Sequence, residues 1–273
     1  MKEKIKPEVY IELLVLALLI VLNVWLLFNL GSLQEIKPDP KPHFLVTIGG
    51  IIAMMFVVLG VHELGHLVAG LSQGFELTQF VVDPLGIKKE EGKTKVYLNT
   101  NLGLAGGIAG TAPLTASPTN GDKMRRVVIA GPMMSLVFSA ICLSLAWQVG
   151  NYPGFPLRFF LVASGIASLM IFLATSVPSK TGPFFTDRKR YQRMIFPAKA
   201  QDFEIATLQI WGSFQQHGCY RHVAKSDIEV LKTADEPFFR LSGHFNLICY
   251  ELEMENRIDP HVEAEYRLSL IHI

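Results

Sequence analysis

Cysteine is scarce in this chain, and charge is thin. The three cysteines, Cys142, Cys219 and Cys249, are an odd set without C-x-x-C spacing. That excludes the dense disulfide framework of a small secreted domain and reads as unpaired thiols in a reducing or lipid setting. Charged residues make up 18% of the 273, against about 25% in an ordinary soluble domain. The net charge of +1 removes any global electrostatic reason to expect a nucleic-acid partner. Repetition between the two halves and paired broken helices are also missing, so a transporter lacks its usual pointers.

Apolar residues are abundant instead, at half of the sequence. Four runs approach the roughly 20 residues that a helix needs to cross a bilayer: Tyr10–Leu30, Phe44–Gly70, Val127–Gln148 and Phe159–Val177. The first is longer than a signal-peptide core and is followed by no A-x-A-like cleavage site, so it reads as a retained anchor. Lysine and arginine set the expected orientation. Lys2, Lys4 and Lys6 precede the first run; seven basic residues from Lys88 to Arg126 lie between the second and third; Lys180, Arg188, Lys189, Arg190 and Arg193 follow the fourth. The other two loops hold only Lys37, Lys41 and Arg158. Both termini and the central loop are therefore expected in the cytoplasm.

Within the central loop, Phe75–Val82 and Lys93–Asn99 are rich in β-branched and aromatic residues. Asp83-Pro84 and the charged Lys88–Gly92 run punctuate them, which predicts a small β-hairpin or sheet. The glycine-rich Asn101–Leu114 is too short to span, and re-entry into the membrane is the expectation there. From Tyr191 onward the composition is polar and mixed. Ala198–Gln216 has helical character, Ser226-x-x-Glu229 fits a capping box, and Asp259-Pro260 fits another helix start. The two starts are 34 residues apart, a tetratricopeptide-like period, though one interval makes no array. The expected plan is an α-helical polytopic membrane protein with about four transmembrane helices and a small cytoplasmic β-hairpin insertion over residues 1–190. A C-terminal α-helical cytoplasmic domain follows over 191–273. The stop at Leu268–Ile273, soon after a helix begins, reads as a truncation or a non-native tail.

The second run contains His62-Glu63-Leu64-Gly65-His66, an H-E-x-x-H. On a helix, i and i+4 share a face, so both imidazoles reach one ion while Glu63 is offset toward water beside it. Zinc accepts imidazole nitrogen in a four-coordinate site with an open position, and a glutamate there serves as general base. His62 lies about eight residues, or about 12 Å, inside the span, where two histidines and a glutamate are costly unless coordinated or facing a watered cavity.

An H-E-x-x-H embedded in a transmembrane helix resembles the site-2 protease family of intramembrane zinc metalloproteases (peptidase family M50). The resemblance implies a zinc ion (Zn2+) bound by His62, His66 and an aspartate from a later segment. Pro178-Ser-Lys-Thr-Gly-Pro-Phe-Phe-Thr-Asp187 resembles the proline–glycine–aspartate version of a less studied bacterial branch, which makes Asp187 the implied third ligand. Ala130-Gly131-Pro132 resembles the family's small-residue motif, with close helix packing as a sufficient reason for it. Ser135 stands where relatives often carry asparagine and is a candidate for holding substrate. Two positions depart from the pattern: Arg188 replaces the usual glycine, and Thr175 replaces an asparagine. The rival reading of Asp187 is a juxtamembrane charge paired with Arg188 or Arg190; Glu90 and Glu91 are weaker ligand candidates.

The function so implied is cleavage of a membrane-protein or peptide substrate within a bacterial cytoplasmic membrane, with Glu63 as the catalytic base. The alternative is a catalytically inactive homologue serving as a membrane scaffold, its C-terminal helices binding a cytoplasmic protein. His43, His217, His222, His244 and His261 lack zinc-finger spacing and read as surface or packed histidines.

Overall fold

The computed structural model describes residues 7–29, 44–90, 92–100, 107–149, 157–181, 184–196 and 198–271. Four helices are long and apolar enough to cross a membrane: α1 (Pro7–Asn29), α2 (Phe44–Ser72), α3 (Asn120–Val149) and α4 (Leu157–Ser176). They differ in how much they hide. In the apolar window of α3, 61% of residues are buried, against 6% in α2 and 11% in α1. Helix α3 is therefore the hub, while α1 and α2 present large apolar side chains such as Leu18, Phe28, Ile52 and Val68 outward. An apolar exterior of that extent is stable only against lipid.

Between α2 and α3 lies a four-stranded antiparallel sheet in the order β3-β2-β1-β4. Its strands are β1 (Phe75–Val82), β2 (Leu85–Glu90), β3 (Lys93–Leu98) and β4 (Ile108–Pro113). This corrects two expectations. The charged Lys88–Glu90 run is part of strand β2, because its charges find opposite partners: Lys89 pairs with Glu76, and Lys95 lies 3.0 Å from Glu90. The second half of the glycine-rich segment is an edge strand rather than a loop; residues 101–106 lie outside the described ones. Smallness there serves close approach. A methyl group at Gly70 would come within 2.9 Å of the Thr111 side chain, so the glycine lets that side chain of β4 sit directly on the α2 backbone.

After α4 come the two-residue strands β5 (Lys180–Thr181) and β6 (Phe184–Phe185), then α5 (Asp187–Ile195), α6 (Lys199–His217), α7 (Lys225–Lys232), α8 (Pro237–Glu255) and α9 (Pro260–Ile271). The expected capping box is not used: Ala224 is the N-cap of α7, and Ser226 sits inside the helix. Asp259 does cap α9, accepting from the His261 backbone N–H at 2.8 Å. Helix α8 was not anticipated. One core of this region gathers Phe203, Ile210, Ile228, Leu231, Phe239 and Leu247. A second joins α5 and α6 to α1, β1 and α3 through Tyr191, Met194, Leu208, Val9, Phe75 and Val128.

Candidate metal centre

The buried residues of α2 are Val58, His62, Gly65, His66 and Gly70. Their spacing is that of one helix face, and this face lies on α3. Contact is close because both helices offer glycine at the crossing. A methyl group at Gly65 would stand 2.7 Å from the Ala130 carbonyl oxygen. One at Gly131 would stand 2.5 Å from Cε1 and 2.6 Å from Cδ2 of His66, and nearer still to its Nε2. Ala130-Gly131-Pro132 is thus the floor beneath His66, a tighter constraint than general packing.

Each imidazole is held from behind by α3. His62 Nδ1 lies 2.9 Å from Ser135 Oγ, and His66 Nδ1 donates to the Val127 carbonyl at 2.8 Å. Ser135 is itself fixed by Ser168, whose hydroxyl donates to the Ser135 carbonyl at 2.8 Å. With both Nδ1 atoms engaged, both Nε2 atoms face the same point, and Asp187 is there. His62 Nε2 lies 3.2 Å from Asp187 Oδ2, and His66 Nε2 lies 3.4 Å from Asp187 Oδ1. Ser135, a candidate for holding substrate, accordingly stands behind a ligand-type histidine.

Asp187 arrives by a turn. Thr186 Oγ1 donates to the Val177 carbonyl at 2.8 Å and accepts from the Ser179 N–H at 3.0 Å, which folds the chain back toward α2 before α5 begins. Burial alone would raise the Asp187 carboxyl. The His66 and His62 imidazoles outweigh that and hold it below the usual carboxylate range. Among the described residues no ion pair joins Asp187 to Arg188 or Arg190. Arg190 lies 3.5 Å from Glu204, and Arg188 lines a cavity of about 360 Å³ with Leu13, Leu16, Val128 and Phe172. Thr175 donates to its own helix at Phe172 and takes no part in the cluster.

The donor set fits zinc. Two donors each about 2.0–2.2 Å from a tetrahedral ion lie about 3.4 Å apart, close to both imidazole–carboxylate separations. Asp187 Oδ2 is also buried and, apart from the facing His62 Nε2, has no polar partner among the described residues, leaving lone pairs for an ion. Among those residues no other group of three potential ligands comes together; Glu90 is paired with Lys88 and Lys95. Glu63, one residue past His62, is half-buried and accepts a hydrogen bond from the Ala109 backbone N–H of β4. Gly107, at φ 121°, lies against it, and a methyl there would stand 2.8 Å from Glu63 Cγ. Neither partner of Glu63 carries a sequence signal; both come from the pairing of β4 with β1.

Four membrane-length apolar helices around a buried His–His–Asp cluster define the class: an integral membrane protein with a three-ligand centre suited to a metal. The sequence model of peptidase family M50 matches residues 50–253, about three quarters of the chain, and the chain belongs to that family. The match takes in His62, Glu63, His66 and Asp187 and continues into α8. No curated protein and no solved structure matches the chain.

Proposed function

We propose that this protein is a zinc-dependent intramembrane endopeptidase that cleaves membrane-protein or peptide substrates. The observation that carries the reading is the convergence of His62 Nε2 and His66 Nε2 on the two oxygens of Asp187, with Glu63 beside them. His62, His66 and Asp187 hold the ion. Zinc held there supplies a Lewis acid that polarises a scissile carbonyl and makes water acidic enough to give up a proton near neutral pH. Glu63 accepts that proton as water attacks the carbonyl carbon and returns it to the departing amine. Ser135 and the Val127 carbonyl keep both rings aimed through their Nδ1 atoms. Because Ala109, on the edge strand β4, donates to Glu63, a substrate unwound from its helix and added along β4 would pass beside the base.

The basic-residue distribution favours an orientation with both termini and the sheet on the cytoplasmic side; the membrane in this reading is a bacterial cytoplasmic one, and the C-terminal helices are where a cytoplasmic partner would bind. The test is Glu63→Gln in purified full-length protein. Zinc is expected to remain near one equivalent while cleavage of a membrane substrate is lost; retained cleavage removes Glu63 as the base. Wild-type protein that is zinc-free yet normally stable would favour the inactive scaffold.

A further inference from the structure

Helix α5 carries Asp187 at its first residue, and it is anchored from two directions. On one side Tyr191, 2% exposed, donates its hydroxyl to Glu12 Oε2 of α1 at 2.6 Å. The same oxygen receives Arg125 Nη1 of α3 at 2.5 Å. On the other side Arg193, 6% exposed, reaches into the C-terminal helices. Its Nε donates to the buried Glu204 of α6 at 2.9 Å, and its Nη1 donates to Glu236, the N-cap of α8, at 2.5 Å. Its guanidinium lies 4.4 Å from the ring centroid of Phe185 and 5.0 Å from that of Phe239. Gln201 of α6 adds a bond to the Met194 carbonyl at 2.8 Å.

Resting on the metal-centre reading above, we propose that Arg193 is a positioning residue for the third metal ligand, through which α6–α8 hold Asp187 on the ion. The geometry gives this leverage. Asp187 and Arg193 are six residues apart on one helix, about 9 Å along its axis. A tilt of about 1–2° at the Arg193 end moves Asp187 by about 0.2–0.3 Å, the whole tolerance of a metal–ligand distance. The histidines have no such dependence, because their supports, Ser135 and Val127, are both on α3. The site is therefore built from two ligands fixed inside the membrane helices and one whose aim is shared with the C-terminal helices. Arginine suits the role because its planar fork addresses two carboxylates at once while its faces meet aromatic rings.

The experiment is cobalt(II) titration of metal-stripped full-length protein in detergent, read by affinity and by the visible d–d spectrum. The variants are Arg193→Gln, Arg193→Lys and Glu236→Gln, with Asp187→Ala and His66→Ala as references. Arg193→Gln is expected to weaken cobalt binding by about 10–100-fold and to shift the spectrum of the loaded protein toward that of Asp187→Ala. Arg193→Lys, which keeps the charge, recovers part of the affinity. Arg190 remains 3.5 Å from Glu204 as a substitute cation, which favours folding of Arg193→Gln. Should it still fail to fold, Glu236→Gln removes one anchor, leaves Arg193 paired with Glu204, and must show the same spectral shift. Wild-type affinity and spectrum in the folded variants would overturn the proposal and show that Asp187 keeps its place without the Arg193 anchor. Wild-type protein that binds no cobalt would instead sink the metal-centre reading, so the two failures are distinguishable.

Discussion

Gly131→Ala puts a single methyl group under the metal-facing edge of His66. That methyl would stand 2.5 Å from Cε1 and nearer still to Nε2, whereas ordinary contact begins at 3.4 Å, so the ring must retreat by at least about 0.9 Å. Retreat is obstructed on both sides. The 2.8 Å bond from Nδ1 to the Val127 carbonyl ties the ring to α3, and the Gly65–Ala130 crossing leaves the two backbones no slack. A metal–ligand distance tolerates about 0.2 Å, so the displacement is several times what coordination allows. Zinc affinity is expected to fall by at least 100-fold, about 2.7 kcal/mol. The assay is equilibrium competition with a chelator on detergent-purified protein, with thermal unfolding of the metal-free form as the check on folding. Overpacking of this size typically costs about 1–3 kcal/mol of stability, so the metal-free variant remains folded and the metal loss is readable. Gly49→Ala is the control: nothing lies within 4 Å of its methyl, and it should keep full affinity. A Gly131→Ala protein that binds zinc as the wild type does would refute the placement of His66 Nε2 over α3.

Three further changes probe separate parts of the site. Ser135→Ala removes the partner of His62 Nδ1 and should weaken zinc binding by about 10–100-fold while sparing the fold, as measured by the same competition. Arg188→Gly removes the side chain that directly follows Asp187. Because Asp187 faces His62 and His66 and no ion pair joins it to Arg188 among the described residues, zinc content should not change, and a loss measured by elemental analysis would show that the arginine aims the turn. Arg125→Ala leaves Glu12 with Tyr191 but no cation at its Oε2, which Arg125 contacts at 2.5 Å from a site only 2% exposed. Removing one partner of a buried pair costs about 3–5 kcal/mol, to be read as a lowered denaturant midpoint; a change under about 1 kcal/mol would mean that the pair is solvated.

How much of this was legible in the sequence follows from how local each feature is. The four spans were readable because lipid leaves long apolar runs without polar interruption. His62, Glu63 and His66 were readable because one helical turn relates them. Asp187 is 121 residues beyond His66, and no periodicity links them; only the resemblance to the family singled it out. The sheet was half visible. Strand β1 has the β-branched and aromatic signature, whereas β2 hides among charges, Lys89 pairing with Glu76 of β1 and Glu90 with Lys95 of β3, and β4 is rich in alanine and glycine. Helix α8 begins after Glu236 rather than after a serine or aspartate. It also contains Gly243, which reads as a breaker until its place against the α7 backbone is seen, 2.6 Å from the Lys232 nitrogen for a methyl there.

Arg125 shows why charge counting and structure part company. In the sequence it belongs to a basic cluster that sets orientation. In the fold it is buried against Glu12, with Glu8 3.6 Å away, and through Glu12 it meets Tyr191 of α5. Arg193 repeats the pattern: another cation of the juxtamembrane cluster, turned inward onto Glu204 and Glu236. A basic residue beside an apolar run carries the same one-dimensional signal whether it faces water or a carboxylate brought from another helix. What distinguishes these two is an acidic partner more than ten residues away, in the anchor α1 or in the helices after Arg193. The family match continues through residue 253, well past the last membrane-length helix. Those later helices thus belong to the same family unit as the metal cluster, as expected if a ligand-bearing helix depends on them for its aim.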